Sequence, residues 1–503
     1  MSPLVTRAGK AIPREDVPVL PFDDFRKVVA LAGGGGARVA ALFGWRPPGR
    51  KTGVQLVVVV ARDAEGSLEL AATDVAGPSY PSFTLDCPQV HLFEREIAEK
   101  WAVIPEGHPW LKPVRFEGSP VGIMDFYRIE GEEVHEVAVG PIHAGVIEPG
   151  HFRFQCHGEQ VFHLEISLGY QYRGVERALV GGPSKRTLHY METLAGDTTI
   201  GHGMAYCHAI EALSGTRAPA RALALRGIAL ELERLANHTG GLGGIANDIA
   251  FLPTASFCGR LRGDFLNLTA SICGNRFGRD LVRPGGVGFD VDERLRDDMQ
   301  RRLAAALHDV QASVELLWNS ASVQARLEGT GTVSRETAEA LGLVGVVARA
   351  CGVERDVRHD HPSGVYRVAH IPVSSWQSGD VFARAFVRWL EIGRSCTFVE
   401  EQLEALPRGA IMAPAVEPAA ARGPGGGQPL APNRLCVSLV EGWRGEICHV
   451  AITGEDGKLA AYKVVDPSFH NWAGLAMALR DQQISDFPLC NKSFDLSYCG
   501  HDL

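Results

Sequence analysis

A chain of 503 residues with 45% hydrophobic residues, 22% charged residues and a formal net charge of -9 is a globular polypeptide, long enough for roughly two to four domains. Its acidic balance argues against a protein that coats nucleic acid by neutralising phosphates. The longest strong apolar run, LVVVVA at 56–61, falls short of the roughly 18 residues of a membrane span, and the N-terminus has no apolar signal-peptide core, so a cytoplasmic chain without a span of its own is expected.

The elements follow in chain order. FRKVVALA (25–32) carries the apolar stripe of a helix; VQLVVVVAR (54–62), a turn at Asp63 to Gly66 and SLELAATDV (67–75) read as a hairpin. PQVHLFEREIAEKWAVIPEGHPWLKP (88–113) predicts a short helix and then a loop leaving a small α+β domain, bounded at 1–122. A second domain, 123–503, opens with a short β region from about residue 125 and continues into long helices. In LRGIALELERLANH the apolar positions 225, 228, 229, 232, 235 and 236 trace one helical face, and in SGDVFARAFVRWLEIG Phe382, Phe386, Trp389 and Leu390 do the same. The segment 413–433 is a flexible Pro/Gly/Ala insert, and RLCVSLVEGWRGEICHVAITGEDGKLAAYKVV alternates as two or three strands before a final helix and tail.

Eleven cysteines without a CxxC pair argue against a disulfide framework and against a self-contained zinc or iron–sulfur site, and read as buried thiols. GGGG at 33–36 and GLGGIA at 241–246 lack the strand-to-helix context of a phosphate-binding loop, and are expected to be tight turns. Polar residues converge elsewhere. GPIHAGVIEPGHFRF (140–154) offers His143, Glu148, His151 and Arg153 on Gly/Pro-punctuated strands; LGYQYRGVERAL adds Arg173 and Glu176; SICGNRFGRDLVRPGGVG adds Arg276 and Arg283; EGWRGE adds Arg444.

These segments, with SGDVFARAFVR and VVDPSFHNWAGL and in this order, resemble the large subunit of membrane-bound nickel-iron hydrogenases of the formate-hydrogenlyase type, and the hydrogenase-derived subunit of respiratory complex I. The N-terminal HLFEREIAEKWAVIPEGHP resembles the small complex I subunit that is fused upstream in this hydrogenase type. The resemblance implies an α+β chain: a small N-terminal domain followed by a hydrogenase-large-subunit-like helical bundle with a peripheral β-sheet. It also implies an iron–sulfur small subunit, a ferredoxin-like subunit and antiporter-like membrane subunits as partners, with this chain peripheral on the cytoplasmic face of a bacterial inner membrane.

In that family an R-x-C-G-x-C loop and a C-terminal D-P-C-x-x-C supply four thiolates to nickel and iron, soft donors suited to such a centre. Here TLAGDTTIGH (193–202) places Ala195 and Thr198 at the first pair, and SFDLSYCGHDL (493–503) places Ser497 and Gly500 at the second. Cys499 stands one residue off register, so no nickel ligand set is expected. Hydrogenases are cut after a C-terminal histidine or arginine; this sequence stops at Leu503, at that position, and the expectation is that no maturation peptide remains. The resemblance implies Glu148, Asp197 and Arg444 as the charge-handling residues, with two close carboxylates, Glu148 and Asp197, sharing the cleft. His151, His202, Thr198, Ser497 and Cys499 would line a pocket for a quinone or another small acceptor, and Glu176 is the remaining ligand of a magnesium-type site. Two other readings stand beside this one: an active hydrogenase-4 or formate hydrogenlyase large subunit with altered ligands, and a non-catalytic scaffold.

Overall fold

The computed structural model describes residues 2–33, 36–50, 52–145, 147–414 and 429–503. Gly34 and Gly35 of the first glycine run, and 415–428 of the Pro/Gly/Ala insert, lie outside the described residues. The chain is a mixture of helix and sheet, as the α+β reading expects.

Strands β1 (Leu4–Thr6) and β2 (Ala11–Pro13) precede helix α1 (Phe22–Ala32), which buries Phe25, Val28, Val29 and Ala32 at helical spacing. Strands β3 (Arg38–Trp45), β4 (Val54–Arg62) and β5 (Ser67–Val75) form an antiparallel sheet with β1, in the order β1-β5-β4-β3. The predicted hairpin is there in register, from Val54 opposite Val75 to Arg62 opposite Ser67. The short parallel pair β6 (Ser79–Pro81) and β7 (Ile104–Glu106) flanks α2 (His91–Trp101), the helix read from FEREIAE. Next come β8 (Val134–Val139), β9 (His151–His157) and β10 (Gln160–Ser167), an antiparallel meander.

The helical part follows: α3 (Val175–Leu179), α4 (Thr187–Glu192), α5 (Thr199–Ser214), α6 (Ala220–Asp248) and α7 (Leu252–Cys273), then the two-residue strands β11 (Val282–Arg283) and β12 (Gly286–Val287) and the long α8 (Glu293–Trp318). Short helices α9 (Ala321–Leu327), α10 (Arg335–Leu341), α11 (Gly345–Ala350) and α12 (Val357–Asp360) lead to α13 (Val381–Glu404). Strands β13 (Arg434–Glu441), β14 (Glu446–Thr453) and β15 (Leu459–Val465) precede α14 (Pro467–Ala478), α15 (Phe487–Phe494) and α16 (Tyr498–Asp502).

The first segment is tied to the last. Strand β2 of the N-terminal segment pairs with β13, giving the order β15-β14-β13-β2, and the N-terminal core runs on into Leu435, Val437, Leu439, Cys448 and Val450. Helix α6 is buried nearly all round and forms the axis of the bundle, packed against α7 and α13.

Two expectations change here. GLGGIA is not a turn: it lies inside α6, where a Cβ on Gly244 would run into the Lys492 side chain and one on Gly243 would sit 2.9 Å from the Cys258 Cβ. These glycines allow α7 and α15 to approach closely. In α13 the apolar stripe lies at the rim of the core, with Phe382 and Trp389 only partly buried against it. Phe382 and Phe386 stack on each other and meet Trp318 and Trp376 edge to face, while the buried face carries Arg384, Arg388 and Glu391 among its apolar residues. All eleven cysteines are free thiols, and only Cys273 and Cys499 are less than fully buried. Among the described residues no helix is long and apolar enough to cross a membrane.

Candidate functional site

The loop 193–198 that enters α5 and the turn 495–497 that enters α16 meet at one end of the bundle, and two guanidinium groups stitch them together. Arg173 donates to the carbonyls of Thr193 (2.7 Å) and Leu194 (2.9 Å) on the first loop and of Cys499 (3.4 Å) on the second. Arg444 donates to both oxygens of Asp197, at 2.6 and 2.8 Å, and from Nε to the carbonyl of Asp495. Planar multidentate recognition of this kind is what a guanidinium does and an ammonium does not.

Arg444 is placed by the tight turn between β13 and β14. Gly445 there has a φ of +140° and packs against Gly345 so closely that a side chain on either would strike backbone. The guanidinium lies 3.9 Å from the centre of the Trp443 ring, whose indole N–H donates to the carbonyl of Asp197 and to Thr198 Oγ1, both at 3.1 Å. Burial opposes the charge of Arg444, but the Asp197 carboxylate outweighs it and raises its pKa. Asp197 and Trp443 form part of the wall of a groove of about 530 Å³ that continues over Asn237, the α6 glycines, Arg262, Lys492 and Asp495.

The four positions read against thiolates are drawn together around this clamp. Thr198 is buried beneath Trp443, and Ser497 caps α16 by accepting from the Gly500 N–H at 2.9 Å. Gly500 has no room for a side chain: a Cβ there would come within 2.7 Å of the Asp466 carboxyl carbon and 2.9 Å of Ser497 Oγ. Cys499 is a thiol whose pKa is pushed up to about 11, first by burial and then by the neighbouring Glu148 carboxylate. One protonated thiol, two hydroxyls and a methyl group do not fit a nickel-iron centre, which takes soft thiolates.

Glu148 lies against Gln171, whose amide donates to it at 3.3 Å, and its charge bears on the Cys499 thiol. It is not the carboxyl on which the charge of Asp197 bears. That group is Glu233 of α6, buried, accepting from the N–H groups of Ile200 (2.7 Å) and Gly201 (3.1 Å) at the start of α5. Burial, aided by the charge of Asp197 and opposed by the two N–H groups, pushes its pKa up to about 8. Those N–H groups are the orphan donors of a helix start, so a carboxyl there is at once a cap and a proton holder.

Other expected residues go elsewhere. His151 is held by the Gly140 carbonyl at 3.2 Å and packs on Phe126. Arg153 points along the sheet to Glu136 at 2.8 Å, because it faces β8, and Arg276 and Arg283 are bound locally, by Phe277 and Asp280. Glu176 lies between two ammonium groups, Lys463 at 3.0 Å and Lys100 at 2.9 Å, and also accepts from the Val464 N–H. Its pKa is lowered: burial opposes the charge, and the two lysines prevail. A carboxylate neutralised on both oxygens does not fit a magnesium-type site, which needs free oxygen donors, and no cluster of three or more acidic, His or Cys groups suited to a metal occurs among the described residues. Alternation within GVERAL gives no hint of this, since both lysines arrive from distant segments.

His202, expected to line the pocket, is fully buried behind it. Its Nε2 donates to Asp466 at 3.0 Å and its Nδ1 lies 3.1 Å from His449 Nε2.

Comparison with known proteins gives the class. The chain is 29% identical over 459 residues to formate hydrogenlyase subunit 5 of Escherichia coli (strain K12), covering 85% of this chain and 78% of that one. It is 29% identical over 364 residues to the carbon monoxide-induced hydrogenase of Rhodospirillum rubrum (72% and 97% covered), and 28% identical over 331 residues to an NADH-quinone oxidoreductase subunit of Solibacter usitatus (65% and 86%). Residues 248–502, just over half the chain, match the family described as respiratory-chain NADH dehydrogenase, 49 Kd subunit. The chain belongs to that family, as a peripheral-arm subunit of a hydrogenase- and complex I-related energy-converting oxidoreductase.

Proposed function

We propose that this subunit works without a nickel-iron centre, and that its clamped loops form a proton- and charge-coupling site beside a groove for a quinone or another small acceptor. The observation that carries this reading is the pair of loops itself. They are held together by Arg173 and Arg444 in place of metal, and Asp466 fills the space that a side chain at 500 would need. A groove of about 530 Å³ lies within the range of small-molecule sites. Its wall holds an ionised carboxylate, an indole and an ammonium, polar groups that can orient a carbonyl-bearing ring.

In this reading the chain sits on the cytoplasmic face of the membrane. Its partners are an iron–sulfur small subunit, a ferredoxin-like subunit and antiporter-like membrane subunits, which supply the electron carriers and the ion path. Glu148, half-exposed beside Cys499 and Gln171, is the group that passes protons between the loops and the surface. The test is Glu148→Gln in the complex purified through a tag on this chain. Subunit content should be unchanged, and proton-coupled turnover should fall by about tenfold or more, the low end of what a positioned acid or base contributes. Unchanged turnover in a fully assembled complex contradicts the role of Glu148, and a lost partner subunit shows that the residue holds the assembly instead.

A further inference from the structure

Behind the clamp runs a line of four side chains from four separate elements. Asp466, at the start of α14, accepts from His202 Nε2 of α5 at 3.0 Å; His202 Nδ1 lies 3.1 Å from His449 Nε2 of β14; and His449 Nδ1 lies 2.9 Å from the Tyr462 hydroxyl of β15. Asp466, His202 and His449 are fully buried, and Tyr462 is 4% exposed. One end abuts the site, since the Asp466 carboxyl packs against Gly500. At the other end Tyr462 is one of the residues lining a separate cavity of about 300 Å³, with Lys463, Glu176, Lys100, Trp101 and Trp45, at the seam between the N-terminal segment and β15.

We propose that Asp466, His202, His449 and Tyr462 form a one-proton relay that connects this second cavity with the clamped loops. The inference rests on the proposed role of those loops in proton coupling. Its direction follows from Asp466, an acceptor held ionised: burial disfavours its charge, but the His202 hydrogen bond overrides this and lowers its pKa. An ionised carboxylate only accepts, so His202 carries a proton on Nε2; the relay is the arrangement in which its Nδ1 holds a lone pair. His449 must donate from Nε2 and accept at Nδ1, and Tyr462 donates to it. Burial, the first cause in each, holds the His449 pKa well below and the Tyr462 pKa well above their usual values, so both are neutral.

A proton taken up by the Tyr462 oxygen from the cavity releases the phenolic proton to His449 Nδ1. His449 gives its Nε2 proton to His202 Nδ1, and His202 gives its Nε2 proton to Asp466 Oδ2. One bond to hydrogen forms and one breaks at each group, and no electron moves. After one transfer each imidazole holds its proton on Nδ1, so a second proton can follow in the same direction only after the first has run back or both rings have turned over.

The experiment uses the assembled complex with this chain labelled with ¹⁵N-histidine. Both His202 and His449 should appear as neutral Nε2–H tautomers. Tyr462→Phe, which keeps the ring and removes only the hydroxyl, should leave assembly intact and lower proton-coupled turnover about tenfold. An imidazole protonated on Nδ1 or on both nitrogens overturns the relay, as does unchanged turnover in Tyr462→Phe. If the wild-type complex shows no proton-coupled turnover, the functional reading falls, and the tautomers alone decide the relay.

Discussion

Two assemblies of charged side chains can be compared, one in the bundle core and one at the clamp, and they differ in what they face. In the bundle core Glu231, Arg234, Arg349, Asp356, Arg358, Glu391 and Glu441 satisfy one another: Arg349 reaches Glu391 at 2.7 Å and Glu441 at 2.8 Å, Arg358 reaches Asp356 at 2.6 Å, and Ser395 and Tyr366 both donate to Glu231 at 2.7 Å. The seven charged residues are at most 6% exposed. At the clamp, Arg173 and Arg444 hold backbone carbonyls and a single carboxylate, Asp197, whose side chain is 32% exposed toward the groove. A buried guanidinium is common to both, Arg444 at the clamp and Arg349 and Arg358 in the core, so burial alone does not mark the site. A space beside the charge separates the two: the clamp borders the groove of about 530 Å³, whereas the cleft that touches the core network, near Arg355 and Glu441, holds about 10 Å³.

If the core network is architecture, removing one member should cost stability and little else. Glu391→Ala strips the partner from Arg349, Arg358, Arg234 and His238, and is expected to destabilise the chain by about 3–5 kcal/mol, the cost of leaving buried charges unpaired. A denaturation midpoint close to wild type would show the network to be expendable and weaken the comparison. Arg444→Met should reverse the balance. The loops lose a clamp at a half-open site, so about 1–3 kcal/mol of stability goes, while turnover drops by more than in Glu148→Gln. A folded variant with wild-type turnover would place the two assemblies in the same class.

A smaller effect separates them by pH. Glu233 has a folded pKa of about 8 against an ordinary value of 4.5, so between those values the folded state holds a proton that the unfolded state has released. Stability contributed by this group is therefore lost as pH rises through that window, by at most about 1.4 kcal/mol per pH unit. Glu233→Gln stays neutral throughout and should flatten the slope when unfolding is measured at both ends of the window. A variant whose stability follows the wild-type pH profile means that Glu233 is already ionised in the fold.

Much of this is legible in the residues, for physical reasons that particular elements show. The hairpin β4–β5 and the strands β13 to β15 announce themselves by short apolar runs broken by turn residues, and the clamp loops by motifs that keep their order. The stripe of α13 misleads because its apolar residues make a rim cluster, while arginines enter the core on the strength of partners from other helices. Glu233 reads as one more charge in LELERLA until the start of α5 is laid against it. The relay is the extreme case: His202 meets partners 247 and 264 residues away, and no local pattern encodes such a contact. Glu176 reads as a metal ligand because sequence shows the carboxylate without the two lysines that neutralise it.

The central claim, that an arginine clamp stands where a metal centre would, meets its most direct test in one preparation of the native complex. Nickel should be at background relative to this chain while proton-coupled turnover is retained, since Ala195, Thr198, Ser497 and Gly500 offer no thiolate. Nickel in one-to-one proportion with the chain, or hydrogen uptake by that preparation, would contradict it.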